Sequence, residues 1–407
     1  MVAAGIGRMA SKRIFMRIIY LHQYFRTPEQ GGAIRSYHLA KALVQAGHEV
    51  DMITAHNHAS YRYEEIEGIR VHYLPVYYEN NLGFAGRLFS FIRFMYLAYR
   101  RASTVAPADL CYATSTPLTI GLVALWLKRF RKIPFYFEVR DLWPEAPIQM
   151  GVIRNSFLKK YLYTLEKKIY RHAEKIIALS PGIEQGIRKS IGADTKTVLI
   201  PNFSDCSFFF PENKQALLEQ KFEVKNKFVI SYTGTLGQAN HLEYLLHCAQ
   251  LLHDQKETRV HIIIAGKGAR ADALKDKYKH LPNVSFIGFL NKNGIMELMN
   301  ISDAVYISYA SLPILQTNSP NKFFDGLAAG KLCISNTAGW LQELIEQHDC
   351  GFYYPSEQPA VFVQKLLPYL EDPSLLKDAQ LRARALAEQQ FSKTIMTQRF
   401  LSLFSKQ

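Results

Sequence analysis

The stretch Ser319-Pro320-Asn321-Lys322-Phe323-Phe324-Asp325, running on to Gly330, has the residue types and spacing best suited to chemistry. Pro320 suits the start of a helix and Gly330 its end. Free backbone N–H groups at such a start favour a phosphate, and Asn321 and Lys322 stand in the first turn, where the lysine adds a full positive charge. Asp325, one turn on, is placed to accept hydrogen bonds from vicinal hydroxyls of a sugar. The same residues also fit a plain capped helix with a Lys322–Asp325 surface pair, worth about 0.2–0.5 kcal/mol. Two glycine turns accompany this block: Tyr232-Thr233-Gly234-Thr235 and Ala265-Gly266-Lys267-Gly268. Each follows a β-rich run, and glycine there lets backbone approach a ligand closely.

The first half carries its own polar groups. Gly31-Gly32 closes the first strand–helix turn, and Arg140-Asp141-Leu142-Trp143-Pro144-Glu145 follows another β-rich run. Arg140 and Asp141 are the candidate catalytic pair. Trp143 and Glu145, with Gly31 and Gly32, are expected to line the acceptor side of a cleft, the ring stacking on a sugar and the carboxylates bonding its hydroxyls. The competing interpretation is a helix capped by Asp141 with Trp143 as core. Between these elements lies FAGRLFSFIRFMYLAYRR, residues 84–101. At 100° per residue Arg87, Arg93, Arg100 and Arg101 share one sector and the apolar residues another. A basic face beside an aromatic one is how interfacial helices bind anionic lipid.

Such groups need a rigid frame. Strands are expected at 17–21, 49–54, 69–74, 109–113, 134–139 and 175–179, then at 228–232, 261–265, 284–287, 304–308 and 332–335, with helices between. This alternation indicates parallel sheets covered on both faces. The expected organisation is an extension (1–15), a first doubly wound domain (16–205), a linker (206–227), a second doubly wound domain (228–385) and a C-terminal helix (386–407) packing back on the first. Ligands of such sheets sit beyond the carboxyl ends of the strands, here in the cleft between domains. Of the net charge of +14, the first 205 residues carry +12 and the remainder +2. That asymmetry favours an anionic partner for the first half. Five cysteines, never spaced as CxxC, argue against a disulfide scaffold and a thiolate zinc site. There is no DxD, HExxH or Walker lysine loop, and nothing accompanies the charge to suggest nucleic-acid recognition. Residues 1–15 lack the apolar core of a signal peptide.

Together, Gly31-Gly32 with its helix, Arg140 to Glu145, Ile200-Pro201-Asn202, Tyr232-Thr233-Gly234 and the Ser319–Gly330 block resemble the family four glycosyltransferases, retaining nucleotide-sugar enzymes of the GT-B fold. DLWPE and SPNKFFDGLAAGK are most similar to a subgroup building O-antigen and capsule chains, including aminosugar and fucosamine transferases. The resemblance spans about residues 16–400. It implies that Asp325 binds the donor ribose and that Gly234, Thr235, Gly266, Lys267, Asn321 and Lys322 surround the diphosphate. It also shows departures. Thr317 stands where the family often has a glutamate contacting the donor sugar. Thr235 and Asn240 stand near the usual Arg and Lys, and Arg140 replaces a histidine frequent just before the aspartate. The diphosphate is thus left to Lys322, helix N–H groups and Lys267.

The expected function is transfer of a sugar, UDP-linked and N-acetylated in the favoured case, to a lipid-diphosphate-linked saccharide in cell-surface polysaccharide biosynthesis. It would be retaining and require neither metal nor other cofactor. The enzyme would lie on the cytoplasmic face of an anionic membrane, without a nucleic-acid partner. Two alternatives share the architecture: a nucleotide-sugar 2-epimerase and a non-catalytic basic scaffold or nucleic-acid binder.

Overall fold

The computed structural model describes residues 15–405 except 33, 80–81, 106 and 193–195, so nearly all of the expected extension lies outside it. The first sheet contains β1 (Arg17–Leu21), β2 (Glu49–His56), β3 (Arg62–Ile66), β4 (Ile69–Pro75), β5 (Leu110–Thr114), β6 (Phe135–Val139), β7 (Lys175–Ala178) and β8 (Thr197–Leu199), in the order β3-β4-β2-β1-β5-β6-β7-β8. The second contains β9 (Phe228–Thr233), β10 (Val260–Ala265), β11 (Val284–Gly288), β12 (Ala304–Ile307), β13 (Leu332–Ser335) and β14 (Gly351–Tyr353), in the order β11-β10-β9-β12-β13-β14. Central strands such as Leu110–Thr114 are buried along their whole length. Their unbroken apolar runs are the mark of strands covered by helices on both sides.

Three strands were absent from the expected pattern. β3 is a mostly exposed, charged edge strand running antiparallel to β4. A tight turn joins the two, with Glu67 at φ 49° and Gly68 at φ 80°. Both residues adopt the positive φ that two-residue hairpin turns demand. β8 and β14 have three residues each, too few to display a period. The stretch expected as linker also contains a short helix, Ala216–Lys221.

The carboxyl ends of the two sheets face each other. Ser180 Oγ donates to the Thr317 carbonyl at 2.5 Å, the Ile314 amide to Gln149 Oε1 at 3.0 Å, and Asn202 Nδ2 to the Ser319 carbonyl at 2.5 Å. Ile314 and Leu315 are buried within the first sheet's core cluster. After the helix Pro373–Leu386 the chain crosses back beside Ser204. Its last helix, Lys393–Leu401, and the turn after it bury Met396, Phe400 and Phe404 against Tyr20 and Tyr112.

Candidate functional site

The second-domain side is built on a helix and a glycine turn. The helix Asn321–Ala328 starts after Pro320 and presents Lys322 from its first turn. The Lys322 ammonium is enclosed, has no hydrogen-bond partner and sits 3.9 Å from the centre of the Tyr232 ring. Burial pulls its pKa down to about 7. Tyr232 is held in place by its hydroxyl, which donates to the Thr235 carbonyl at 2.8 Å. Gly234 follows directly at φ 146°, and any side chain there would come within 3.0 Å of Lys322 Nζ. The positive φ requires glycine at 234, and a side chain there would also press on the end of Lys322. Burial also pushes the Asp325 carboxyl up to about 7, opposed by Lys292.

The glycine turns serve this site differently from the expectation. The Gly234, Leu236 and Gly266 amides donate to the carbonyls of Ala265, Lys267 and Gly288. Those donors are spent inside the domain. Gly266 (φ 155°) lies against the Gly234 carbonyl with no room for a side chain, so strand packing alone accounts for it. Thr235 is exposed. Lys267 is exposed too and turns toward the Phe289 ring, 5.1 Å away, instead of toward Lys322. The cation that remains at the turn is Lys322.

Next to Asp325 lies a cavity of about 70 Å³ that spans both domains. Gly31 and Gly32, with φ of 66° and 87°, wall it on one side, and Asn321, Asp325 and Lys292 on the other. Asn202 Oδ1 and His38 Nε2, on residues of its lining, have no hydrogen-bond partner. Burial, reinforced by Lys393, lowers His38 to about 4, so it stands neutral. Arg35 is the opposite case. Its guanidinium donates to Glu138 at 3.0 Å and to the carbonyls of Pro201 and Ile200 at 2.6 and 2.9 Å.

The first-domain groups follow β1, β5 and β6. Asp141 accepts a hydrogen bond from Thr116 Oγ1 at 3.1 Å, and burial raises its pKa although Arg140 and Thr116 oppose the shift. The Asp141 carboxylate caps no helix, for the next one starts at Glu145 after Pro144. The backbone amide of Arg140 donates to Ser115 Oγ at 2.8 Å, and Arg140 Nη1 lies 3.5 Å from His22 Nε2. His22 is a site residue that sequence spacing did not reveal. The expected convergence of four side chains holds only for Arg140 and Asp141. Glu145 accepts from Gln149 at 2.7 Å and from the Tyr163 hydroxyl, and with Gln149 it lines a pocket shared with Pro313, Ile314 and Thr317 of the second domain. Trp143 packs on the first core, edge-on to Phe91 at 6.4 Å. Pro144 caps the helix Glu145–Gln149, whose first residue meets Tyr163 of the helix Ser156–His172.

The basic helix spans Phe84–Thr104. Its arginines do not form one stripe. Arg93 and Arg100 are exposed, whereas Arg87 donates to the Leu82 carbonyl at 2.8 Å and Arg101 lies 4.1 Å over the Tyr61 ring. Phe94, Ala98 and Ala102 enter the core, while Leu88, Phe89, Ile92 and Tyr96 are 44–65% exposed on the outer face. The helix Ser156–His172 also exposes Phe157 (87%) and Tyr161 (61%). Among the described residues no helix is long and apolar enough to cross a membrane, and no group of three His, Cys, Asp or Glu could hold a metal ion.

Comparison with known proteins agrees with this division. Residues 30–202 match the family described as glycosyl transferase 4-like domain, and residues 213–386 match glycosyl transferases group 1. The chain is 24% identical over 360 residues to an alpha-monoglucosyldiacylglycerol synthase of Streptococcus pneumoniae, covering 84% of this chain and 76% of that one. Among solved structures it resembles sucrose-phosphate synthase from Thermosynechococcus elongatus (TM-score 0.77, 17% identity, 96% of this chain and 98% of that one). It also resembles Alr3699/HepE of Anabaena in complex with UDP-glucose (TM-score 0.68, 18% identity, 95% and 99%). With two Rossmann-like sheets facing across a cleft and both of its halves matched, the chain belongs to the group 1, family four glycosyltransferases of the GT-B fold.

Proposed function

We propose that the enzyme transfers a sugar from a UDP-linked donor, an N-acetylated aminosugar in the favoured case, to a lipid-diphosphate-linked saccharide during cell-surface polysaccharide assembly. One observation carries this: an enclosed ammonium, Lys322, with no partner of its own, beside a glycine turn and one helical turn from Asp325. A buried charge left unpaired is costly, and a diphosphate would supply the missing partner. Asp325 would accept from the ribose hydroxyls, with Asn321 beside it. The UDP-glucose complex of the structural relative HepE supports a uridine donor.

In the reaction the bond between the anomeric carbon and the diphosphate oxygen breaks, and the acceptor oxygen bonds to that carbon. The acceptor proton passes to the departing phosphate, on the same face if configuration is retained. Negative charge grows on the leaving diphosphate, where Lys322 stabilises it with the open first turn of its helix. Arg140 and Asp141, at the end of β6 in the first domain, would position the acceptor hydroxyl and sugar. Domain closure excludes water and suppresses hydrolysis. No metal is needed in this scheme, so activity should survive EDTA.

A lipid acceptor requires access to a bilayer. The apolar outer face Leu88-Phe89-Ile92-Tyr96, flanked by Arg93 and Arg100, fits an anionic membrane surface. The relative named alpha-monoglucosyldiacylglycerol synthase, a lipid-glycosylating enzyme by its name, supports access to a lipid acceptor, for which we place this enzyme at the cytoplasmic face.

The deciding experiment is calorimetric binding of UDP, followed by transfer from a panel of UDP-sugars to a short lipid-diphosphate saccharide. Lys322→Ala should lower UDP affinity by about 100-fold, the worth of one or two charge-assisted hydrogen bonds. Wild-type affinity in that variant would refute the assignment. Sugar epimerisation with donor alone would favour a 2-epimerase instead.

A further inference from the structure

His22, Thr114 and Arg140 stand far apart in sequence but on neighbouring strands, since β1, β5 and β6 are adjacent in the first sheet. Their hydrogen bonds run in one direction. Thr114 Oγ1 donates to the Leu21 carbonyl at 3.4 Å. Its oxygen is then free to accept from His22 Nδ1, 2.6 Å away, in the tautomer that carries the ring proton on that nitrogen. The Nε2 lone pair is left facing Arg140 Nη1 at 3.5 Å. An imidazolium could not accept that bond. Burial and the Arg140 charge both hold His22 neutral, with only the Tyr24 backbone opposing.

The way Arg140 is held differs from the way Arg35 is held. Arg35 donates to the Glu138 carboxylate, and that ion pair cancels its charge. Arg140 donates to a neutral ring, and among the described residues it forms no carboxylate ion pair within 4.0 Å, while the adjacent Asp141 takes its hydrogen bond from Thr116. A guanidinium fixed by a neutral acceptor, with the Asp141 carboxyl acting on it through space and not by a direct ion pair, keeps its remaining N–H donors for an anion.

We infer that His22 is a positioning residue, holding the Arg140 guanidinium uncancelled for a phosphate group of the substrate pair. This rests on the sugar transfer proposed above, and the phosphate belongs either to the donor diphosphate or to the lipid diphosphate of the acceptor.

The test is a double-mutant cycle with His22→Leu, Arg140→Gln and the combined variant, plus His22→Gln. The ligands are UDP and, with UDP saturating, geranyl diphosphate, both measured by calorimetry on variants whose melting temperatures are recorded. His22→Leu and Arg140→Gln should each weaken one ligand by about tenfold, as loss of a charge-assisted bond does. The double variant should bind no worse than Arg140→Gln alone. His22→Gln, whose amide can accept from Arg140 and donate to Thr114, should stay within about threefold of wild type, because it preserves both bonds. Weaker UDP binding assigns the phosphate to the donor, and weaker geranyl diphosphate binding assigns it to the acceptor. Multiplying losses in the double variant, a His22→Gln defect equal to that of His22→Leu, or unchanged affinity for both ligands would overturn the inference. If His22→Leu does not fold, His22→Asn takes its place in the cycle. A wild-type enzyme that fails to bind UDP would overturn the transfer reaction itself, a distinct result.

Discussion

Arg35 in the first domain and Lys322 in the second are both buried cations, yet they are built in opposite ways. Arg35 has a carboxylate and two carbonyls at 2.6–3.0 Å. Lys322 has an aromatic face at 3.9 Å and no hydrogen-bond partner. The first tethers the helix Arg35–Gln45 to β6 and to the chain leaving the domain at Ile200-Pro201, so it is a structural fastening. The second bears a desolvation cost that the fold leaves uncompensated, which is how a protein keeps a site ready for an anion.

The contrast can be broken at either end. Arg35→Met should show the largest effect, a loss of about 3–5 kcal/mol in denaturant unfolding, because Glu138 is left buried without its cation, held only by the Tyr112 hydroxyl. Arg35→Met/Glu138→Leu should recover most of that loss. Were Arg35→Met no more costly than Lys322→Ala, the two cations would not differ as described.

Lys322 can be probed through protons. Its folded pKa of about 7 lies below the ordinary 10.5, so between those values the unfolded chain holds the extra proton. Wild-type stability attributable to this group therefore rises with pH across that window. Lys322→Ala should melt higher than wild type below pH 7, with the difference closing toward pH 10. A bound diphosphate would raise the lysine pKa again. Calorimetry of UDP binding at about pH 8, in buffers of unlike ionisation enthalpy, should then show uptake approaching about one proton in wild type and about none in Lys322→Ala. Equal proton counts would detach Lys322 from the diphosphate.

The smallest expected effect concerns the outer helix. Replacing Leu88, Phe89 and Ile92 together by serine should leave the melting temperature nearly unchanged, as exposed positions do. Co-sedimentation with vesicles containing anionic lipid should fall by about tenfold. Vesicle binding equal to wild type would leave that face without its proposed partner.

Much of this was legible beforehand, for identifiable reasons. The parallel strands announce themselves as continuous apolar runs, and the Ser319–Gly330 block carries helix start, cation and carboxylate within a few residues, where local geometry suffices. β3 escaped because an edge strand with one solvated side is charged like a loop. His22 escaped because its partners Thr114 and Arg140 lie 92 and 118 residues away. Trp143, expected in the cleft with Glu145, packs on the first core against Phe91, whereas Glu145 lines a pocket between the domains.

The residue order alone determined two doubly wound domains, the positions of their turns and the helix bearing Lys322 and Asp325, since these follow from short-range periodicity and backbone preference. Only the tertiary structure decided which polar groups are satisfied. It committed the glycine-turn amides to neighbouring strands, paired Arg35 with Glu138, left Lys322 enclosed without a partner and set a neutral histidine beside Arg140. Those outcomes depend on which strands become neighbours, and strand order in a sheet joins residues that the chain keeps far apart.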